Sequence, residues 1–182
     1  MDRRGILLGS GVVLLLPFRA GAQGTPEATP GADGWAQPGW LVQPDAFDPG
    51  QWHVVMFGNA KQYLDGRIGP AEHLDWTDLD LEKTDPDSVA AWADATAQVL
   101  LGHGILLNNP VAIVDYGTLF AARLFWVLTY LGATDQTVLD GGLPAWSAAG
   151  GTVESGPIMI DYGPITADLP ARNETVLAPI DA

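Results

Sequence analysis

The fold is decided by the stretch VAIVDYGTLFAARLFWVLTYLGATDQTVLDGGLPAWSAAGG, which occupies Val111–Gly151. The apolar run Val111–Val114 predicts a buried strand, because a parallel strand covered on both faces is apolar at successive positions. Leu119–Leu131 predicts a helix. Thr137–Leu139 predicts the next strand, and Pro144–Ala149 predicts a short helix. Alternation of strands and helices in this way is typical of a parallel α/β sheet.

Working outward, the remaining strands are predicted from short apolar segments. These segments are Leu41–Val42, His53–Phe57 and Ala71–Leu74. A further helix is predicted to start at Pro86, because Asp85 is a suitable N-cap and proline favours the first helical position. The predicted fold class is therefore α/β, with a five-stranded parallel sheet and helices on both faces, over residues 40–151.

The N-terminus has the pattern of a secretory signal peptide. Met1–Arg4 is positively charged, Gly5–Phe18 is apolar, and Ala20–Ala22 forms an A-x-A cleavage site. The apolar run is shorter than the ~20 residues that span a bilayer. We therefore expect residues 1–22 to be a signal peptide. The alternative is an uncleaved membrane anchor.

Cleavage of the signal peptide would give an exported protein, periplasmic or extracellular, with no membrane segment. Residues 23–39, rich in Gly, Pro, Thr and Ala, are predicted to be a flexible linker.

The composition limits the partners and the chemistry of the chain. Eight Lys and Arg residues stand against 22 Asp and Glu residues, a formal net charge of -14. A surface of this sign repels nucleic-acid phosphates, so we expect no nucleic-acid partner. The chain contains no Cys, so it can form neither a disulfide nor a catalytic thiolate.

No metal site or cofactor is expected. The acidic segment from Asp75 to Asp87 lacks the Gly and terminal Glu of a calcium-binding loop, so it is predicted to be a solvated loop. The histidines His53, His73 and His103 do not have the spacing of metal ligands.

Three motifs, in this order and spacing, resemble those of the rhodanese family of sulfurtransferases. The first is QYLDGRIGPAEHLDW at Gln62–Trp76, which is similar to the family pattern Y-x-x-G-H-I-P-G-A. The second is Asp115 with its loop and the helix that follows. The third is LDGGLPAW at Leu139–Trp146. The chain departs from the family at Arg67–Pro70, where the family has His-Ile-Pro-Gly, and at Phe57–Asn59, where it commonly has Asp-x-Arg.

The resemblance is closest to the N-terminal, non-catalytic half of tandem thiosulfate/3-mercaptopyruvate sulfurtransferases. It implies that Asp115 occupies the position of the catalytic Cys, so this chain alone is predicted to be inactive. The equivalent of the active loop is then Asp115, Tyr116, Gly117, Thr118, Leu119 and Phe120. The implied partner is a second, catalytic rhodanese domain, in the same polypeptide or in a separate chain, with Leu119 and Phe120 forming an apolar wall beside its active loop.

Residues 152–182 are expected to be a linker that leads into the start of this second domain. Val176–Asp181 (VLAPID) is similar to the opening of the first domain, Leu41–Asp45 (LVQPD), which indicates a weak internal repeat.

Two other functions stay open. A stand-alone, cysteine-less rhodanese module would bind a protein or a small anion near Tyr116–Phe120. Asp115–Thr118 (DYGT) also partly resembles the D-x-D-G-T motif of haloacid dehalogenase-type phosphatases, in which an Asp is the nucleophile. A structural role, in which Asp115 accepts loop amides and caps the next helix, is favoured over that reaction. Arg123 is predicted to pair with Asp115 or Asp140, or to cover the helix surface.

Overall fold

The computed structural model describes residues 38–158, 167 and 169–177. The predicted signal peptide lies outside these residues, as do most of the predicted linker at 23–39 and parts of the segment 152–182. In the described residues no helix is both long and apolar enough to span a bilayer.

The described part of the chain contains five strands and four α-helices that alternate along the sequence. They are β1 Leu41–Val42, β2 His53–Phe57, α1 Ala60–Asp65, β3 Glu72–Leu74, α2 Pro86–Gly102, β4 Val111–Val114, α3 Phe120–Tyr130, β5 Gln136–Leu139 and α4 Gly142–Ala148.

The strands form one sheet in the order β1-β5-β4-β2-β3, and every pairing is parallel. The central strands are β4 and β2, which pair with Val55 opposite Ile113. All four residues of β4 are buried, which explains why Val111–Val114 is apolar throughout. The predicted fold class is confirmed.

The core occupies both faces of the sheet. One cluster joins β2 and β4 to α2 and α3, and its helical members include Ala97, Leu100, Leu124 and Leu128. The second cluster joins the opposite face to α1 and α4 through Tyr63 and Leu143. The helices therefore cover both faces, as predicted for strands that are buried on each side.

Helix α1 was not predicted from the sequence. Its N-cap Asn59 accepts a hydrogen bond from the backbone N–H of Gln62, and the Gln62 side chain accepts one from the backbone N–H of Asn59. This reciprocal pair is a capping box, so the Asn59–Gln62 spacing was a local signal for the helix. The helix is only six residues long and has a single buried side chain, Tyr63, which left almost no periodic apolar pattern to detect.

Part of the predicted linker packs against the domain. The backbone N–H of Asn173 donates to the carbonyl of Tyr130 over 2.8 Å, and Arg172 pairs with Asp94 of α2. Val176 and Leu177 are partly buried and pack against the core cluster that includes α3. The segment 169–177 is thus in contact with α2 and α3.

Candidate functional site

Asp115 lies directly after β4, at the edge of the sheet where the parallel strands end. It is 3% exposed although it is charged. The loop that it begins connects β4 to α3, as the sequence predicted. In open α/β sheets this edge is the usual position of binding sites.

The Asp115 carboxylate is held by four hydrogen bonds from its own loop and helix. Its Oδ1 accepts the backbone N–H groups of Gly117 at 3.0 Å and Thr118 at 3.3 Å. Its Oδ2 accepts the Thr118 hydroxyl at 2.9 Å and the backbone N–H of Ala121 at 3.2 Å. The expected structural role of Asp115 is therefore observed.

Asp115 also replaces the missing N-cap of α3. The residue at the N-cap position, Leu119, makes no side-chain capping bond. The carboxylate instead reaches the second residue of the helix, Ala121, where a negative charge is favoured by about 0.3–1 kcal/mol. The loop and the helix start are thus fixed together by one buried side chain.

The backbone of Asp115 contacts α4. Its carbonyl accepts the N–H of Leu143 at 2.8 Å. Gly142 has φ +60°, and a Cβ there would lie 2.4 Å from the Asp115 carbonyl oxygen. Gly142 of the LDGGLPAW motif permits this close approach. Helix α4 begins at Gly142 rather than at the predicted Pro144.

The end of the loop presents an apolar surface to solvent. Leu119 is 89% exposed, and Phe120 is also exposed. The Phe120 ring stacks on Trp76 with 5.6 Å between centroids and 2° between planes. We call Trp76, Leu119 and Phe120 the apolar edge patch. The sequence had placed Leu119 and Phe120 in the loop but had not joined Trp76 to them.

Arg123 holds the Trp76 segment against α3. Its guanidinium donates to the carbonyl oxygen of Leu79 at 2.6 Å and to Asp80 Oδ1 at 3.0 Å. The prediction that Arg123 pairs with Asp115 or Asp140 is wrong. Asp115 is occupied by loop amides, and Asp140 accepts a hydrogen bond from Gln43.

Tyr116 turns inward, unlike the three loop residues that follow it, which are exposed. Its ring lies against Gly58, where a Cβ would be only 2.5 Å from the ring. Its hydroxyl is buried and has no hydrogen-bond partner. Burial raises the pKa of Tyr116 well above its ordinary value, so the phenol is neutral at physiological pH.

The three histidines occupy separate places. His73 Nε2 contacts the carbonyl oxygen of Gly58, and His103 Nδ1 lies 2.7 Å from Glu72 Oε1. Burial lowers the pKa of His53. Within residues 38–158, 167 and 169–177, no three His, Asp or Glu side chains form a group that could hold a metal ion.

Comparison with solved structures identifies the fold of the chain. SseA of Escherichia coli, a 3-mercaptopyruvate sulfotransferase described as having the rhodanese fold, superposes with a TM-score of 0.58. The match covers 72% of this chain and 57% of SseA at 22% sequence identity. The chain has a rhodanese fold. At this identity the structural match shows the fold alone.

Curated sequence relatives of this rhodanese domain are sulfurtransferases. SseB of Mycobacterium tuberculosis, to which thiosulfate sulfurtransferase activity is attributed, is 42% identical over 64 residues, covering 35% of this chain and 22% of SseB. The thiosulfate sulfurtransferase YnjE of Escherichia coli is 31% identical over 113 residues, covering 59% of this chain and 24% of YnjE. No family model matches the chain. The chain thus spans only about a quarter of the length of these relatives.

Proposed function

We propose that this chain is the non-catalytic rhodanese domain of an exported sulfurtransferase of the thiosulfate/3-mercaptopyruvate type. The observation that carries the proposal is Asp115, which begins the loop between β4 and α3 and whose carboxylate accepts four hydrogen bonds from that loop and from the first turn of α3. The relatives of the chain are sulfurtransferases, and the resemblance described above puts their catalytic Cys at this position.

The chemistry explains why such a domain is inactive alone. Sulfur transfer requires a thiolate that attacks the donor and forms a persulfide, and acidic thiols are usually found next to amides at a helix N-terminus. In this chain those amides bind a carboxylate, which cannot form a persulfide. The same four hydrogen bonds weigh against Asp115 as a phosphatase nucleophile, because attack would require breaking them.

The apolar edge patch supports a role in domain pairing. Neighbouring exposed apolar side chains are typical of a contact surface, and in this patch Leu119 and Phe120 are both exposed. In the proposed assembly the patch faces a second, cysteine-containing rhodanese domain and forms one wall of its active cleft. That domain is supplied by the same polypeptide or by a separate chain.

The exposed patch also favours a second candidate, a stand-alone module that binds a protein through the same loop. The two candidates differ in what the gene encodes after the codon for Ala182. An in-frame continuation with a strand, a Cys-containing loop and a helix supports the sulfurtransferase. A stop codon with no second rhodanese gene nearby favours the binding module.

A sulfur-transfer assay tests the inactivity of the chain. Purified protein, thiosulfate and cyanide are expected to give no thiocyanate above the buffer rate, with YnjE assayed in parallel as the comparison protein. Saturable thiocyanate formation by this chain, in a preparation free of other sulfurtransferases, would contradict the proposal.

A further inference from the structure

The apolar edge patch has acidic neighbours. We call Asp75, Asp78 and Asp80 the acidic border, because all three lie within four residues of Trp76 along the chain. Asp78 is exposed, and the Asp80 side chain keeps 55% of its surface in contact with solvent. Exposed apolar groups and solvated carboxylates therefore occur together in this part of the surface.

Few cations offset the charge of the acidic border. Residues 75–87 carry six carboxylates and a single basic side chain, Lys83. Helix α3, which begins with Phe120 of the patch, has one basic residue, Arg123, and its guanidinium pairs with Asp80 at 3.0 Å. The other two carboxylates of the border form no ion pair with any residue that the structure describes. The surroundings of the patch therefore keep a negative charge.

Hydrogen bonds hold this surface in one arrangement. Asp75 caps the segment Trp76–Leu79 by accepting two hydrogen bonds, of 3.0 and 2.9 Å, from its second residue. The Leu79 carbonyl oxygen accepts Arg123 from α3 at 2.6 Å and the indole N–H of Trp92 from α2 at 3.3 Å. A surface that is already ordered loses little conformational entropy when it binds a partner.

Charge distinguishes the possible occupants of the patch. In a symmetric contact between two copies of the chain, both copies bring the same acidic border, and like charges repel. A wholly apolar partner would remove the carboxylates from water without a counter-charge, which is costly. A protein surface that has apolar side chains bordered by Lys or Arg avoids both costs.

We propose that the apolar edge patch and the acidic border dock a protein surface whose apolar centre is bordered by Lys and Arg side chains. Under the proposed function, on which this assignment rests, that surface belongs to the catalytic rhodanese domain. The sulfur donors of that enzyme type, thiosulfate and 3-mercaptopyruvate, are anions, so a domain that binds them is expected to carry cations beside its cleft. The acidic border then pairs with cations at the rim of that cleft.

A basic amphipathic peptide is the probe for this surface. A short helical peptide with a leucine face flanked by lysines is titrated into the full chain, and binding is measured by calorimetry. An otherwise identical peptide with glutamate in place of lysine tests the sign of the charge and is expected not to bind. The affinity for the lysine peptide is expected to fall about tenfold between ~50 and ~500 mM NaCl, because salt screens exposed charges.

Two charge reversals separate a local contact from general attraction to an acidic protein. Asp78→Lys alters the acidic border, whereas Asp135→Lys alters an exposed carboxylate just before β5, at the opposite edge of the sheet. Both variants change the net charge by the same amount. Asp78→Lys is expected to weaken binding of the lysine peptide about tenfold more than Asp135→Lys, because only Asp78 lies beside the bound peptide.

A pair of neutral substitutions tests the apolar part of the surface. Leu119→Ser is expected to weaken binding of the lysine peptide about fivefold without lowering the Tm, because this side chain is solvent-exposed. Leu64→Ser changes an exposed leucine of α1 and is expected to bind the peptide as the wild type does.

Four results would overturn the inference. They are no binding of the lysine peptide, equal binding of the lysine and glutamate peptides, equal losses in Asp78→Lys and Asp135→Lys, and a homodimer at low salt that is tighter than the peptide complex. The thiocyanate assay is read separately. Thiocyanate formation would contradict the proposed function and leave the peptide result standing, whereas an inactive chain that ignores the peptide would refute the docking surface alone.

Discussion

At the scale of single residues, Asp115 shows how one buried carboxylate can fix a loop and the start of a helix together. Its loop supplies two amides and a hydroxyl, and α3 supplies a third amide. Without the carboxylate, the buried N–H of Ala121 would lose its acceptor. The Asp115 carboxylate therefore stabilises the loop through these hydrogen bonds. A carboxylate at this position cannot carry out the chemistry of a thiolate.

Asp115→Asn is expected to lower the free energy of unfolding by about 1–3 kcal/mol, because an amide –NH2 would face the Ala121 N–H and could not accept it. Urea unfolding measures the change. Asp78→Asn, which alters an exposed carboxylate of the Trp76–Leu79 segment, is the control and is expected to be nearly neutral. Equal stability of Asp115→Asn and wild type would contradict the capping role.

His103 gives a prediction about pH. Its hydrogen bond to Glu72 raises the pKa of His103 above 6.5, against an opposing effect of burial. Because the raised pKa favours the protonated folded state, this stabilisation is complete below pH 6.5 and is lost as the pH rises through the folded-state pKa. Stability is measured upward from pH 6.5, since His53, whose pKa is lowered, acts with the opposite sign below that value.

The matched variant for this pair is His103→Gln, which keeps a hydrogen-bond donor near Glu72 but cannot titrate. It is expected to flatten the stability profile above pH 6.5. A variant that loses stability with rising pH as steeply as the wild type would show that another group is responsible.

At the scale of elements, the loop after β4 is held between the start of α3 and the start of α4. The first contact is the Asp115 carboxylate at Ala121, and the second is its carbonyl at Leu143. The approach of α4 depends on Gly142, where any side chain would meet Asp115. One glycine thus permits a helix of only seven residues to pack against the loop.

Gly142→Ala is expected to destabilise the domain more than Gly150→Ala. Both residues have positive φ, +60° and +89°, so both substitutions strain the backbone. Only at Gly142 would the new Cβ also collide with the Asp115 backbone, while at Gly150 nothing lies within 4 Å. The difference between the two unfolding free energies isolates the collision, and the absence of any difference would show that α4 can move away freely.

At the scale of the whole molecule, a strongly acidic chain carries an exposed apolar edge patch at the loop. The net charge of -14 favours solubility, while the patch favours contact with another surface. The cores on the two faces of the sheet leave Leu119 and Phe120 outside. We therefore expect the apolar edge patch to be accessible to another protein surface.

Leu119→Asp is expected to reduce both hydrophobic-dye binding and weak self-association of the chain without lowering its Tm, because the side chain is solvent-exposed. Dye fluorescence and sedimentation velocity measure these effects. Leu64→Asp changes an exposed leucine of α1 and should leave both readings at the wild-type level. If the two variants behave alike, the patch has no special role.

The sequence by itself determined the elements whose signals are local. Apolar runs defined β2 and β4 at their observed bounds, and the Asp85–Pro86 pair defined the start of α2. The parallel α/β class followed from their alternation. The position and capping role of Asp115 were also predictable, since a carboxylate between a buried strand and a helix has amides within reach.

Only the tertiary structure decided which distant residues meet. Segments far apart along the chain are joined by the strand order β1-β5-β4-β2-β3, the stack of Trp76 on Phe120, the pairing of Arg123 with Asp80 and the hydrogen bond from Arg67 to the Gly156 carbonyl. No local pattern encodes such contacts, because they depend on how helices and loops pack over a shared sheet. The composition and spacing of the sequence therefore predicted a sheet covered by helices. Tertiary packing decided which residues contact each other.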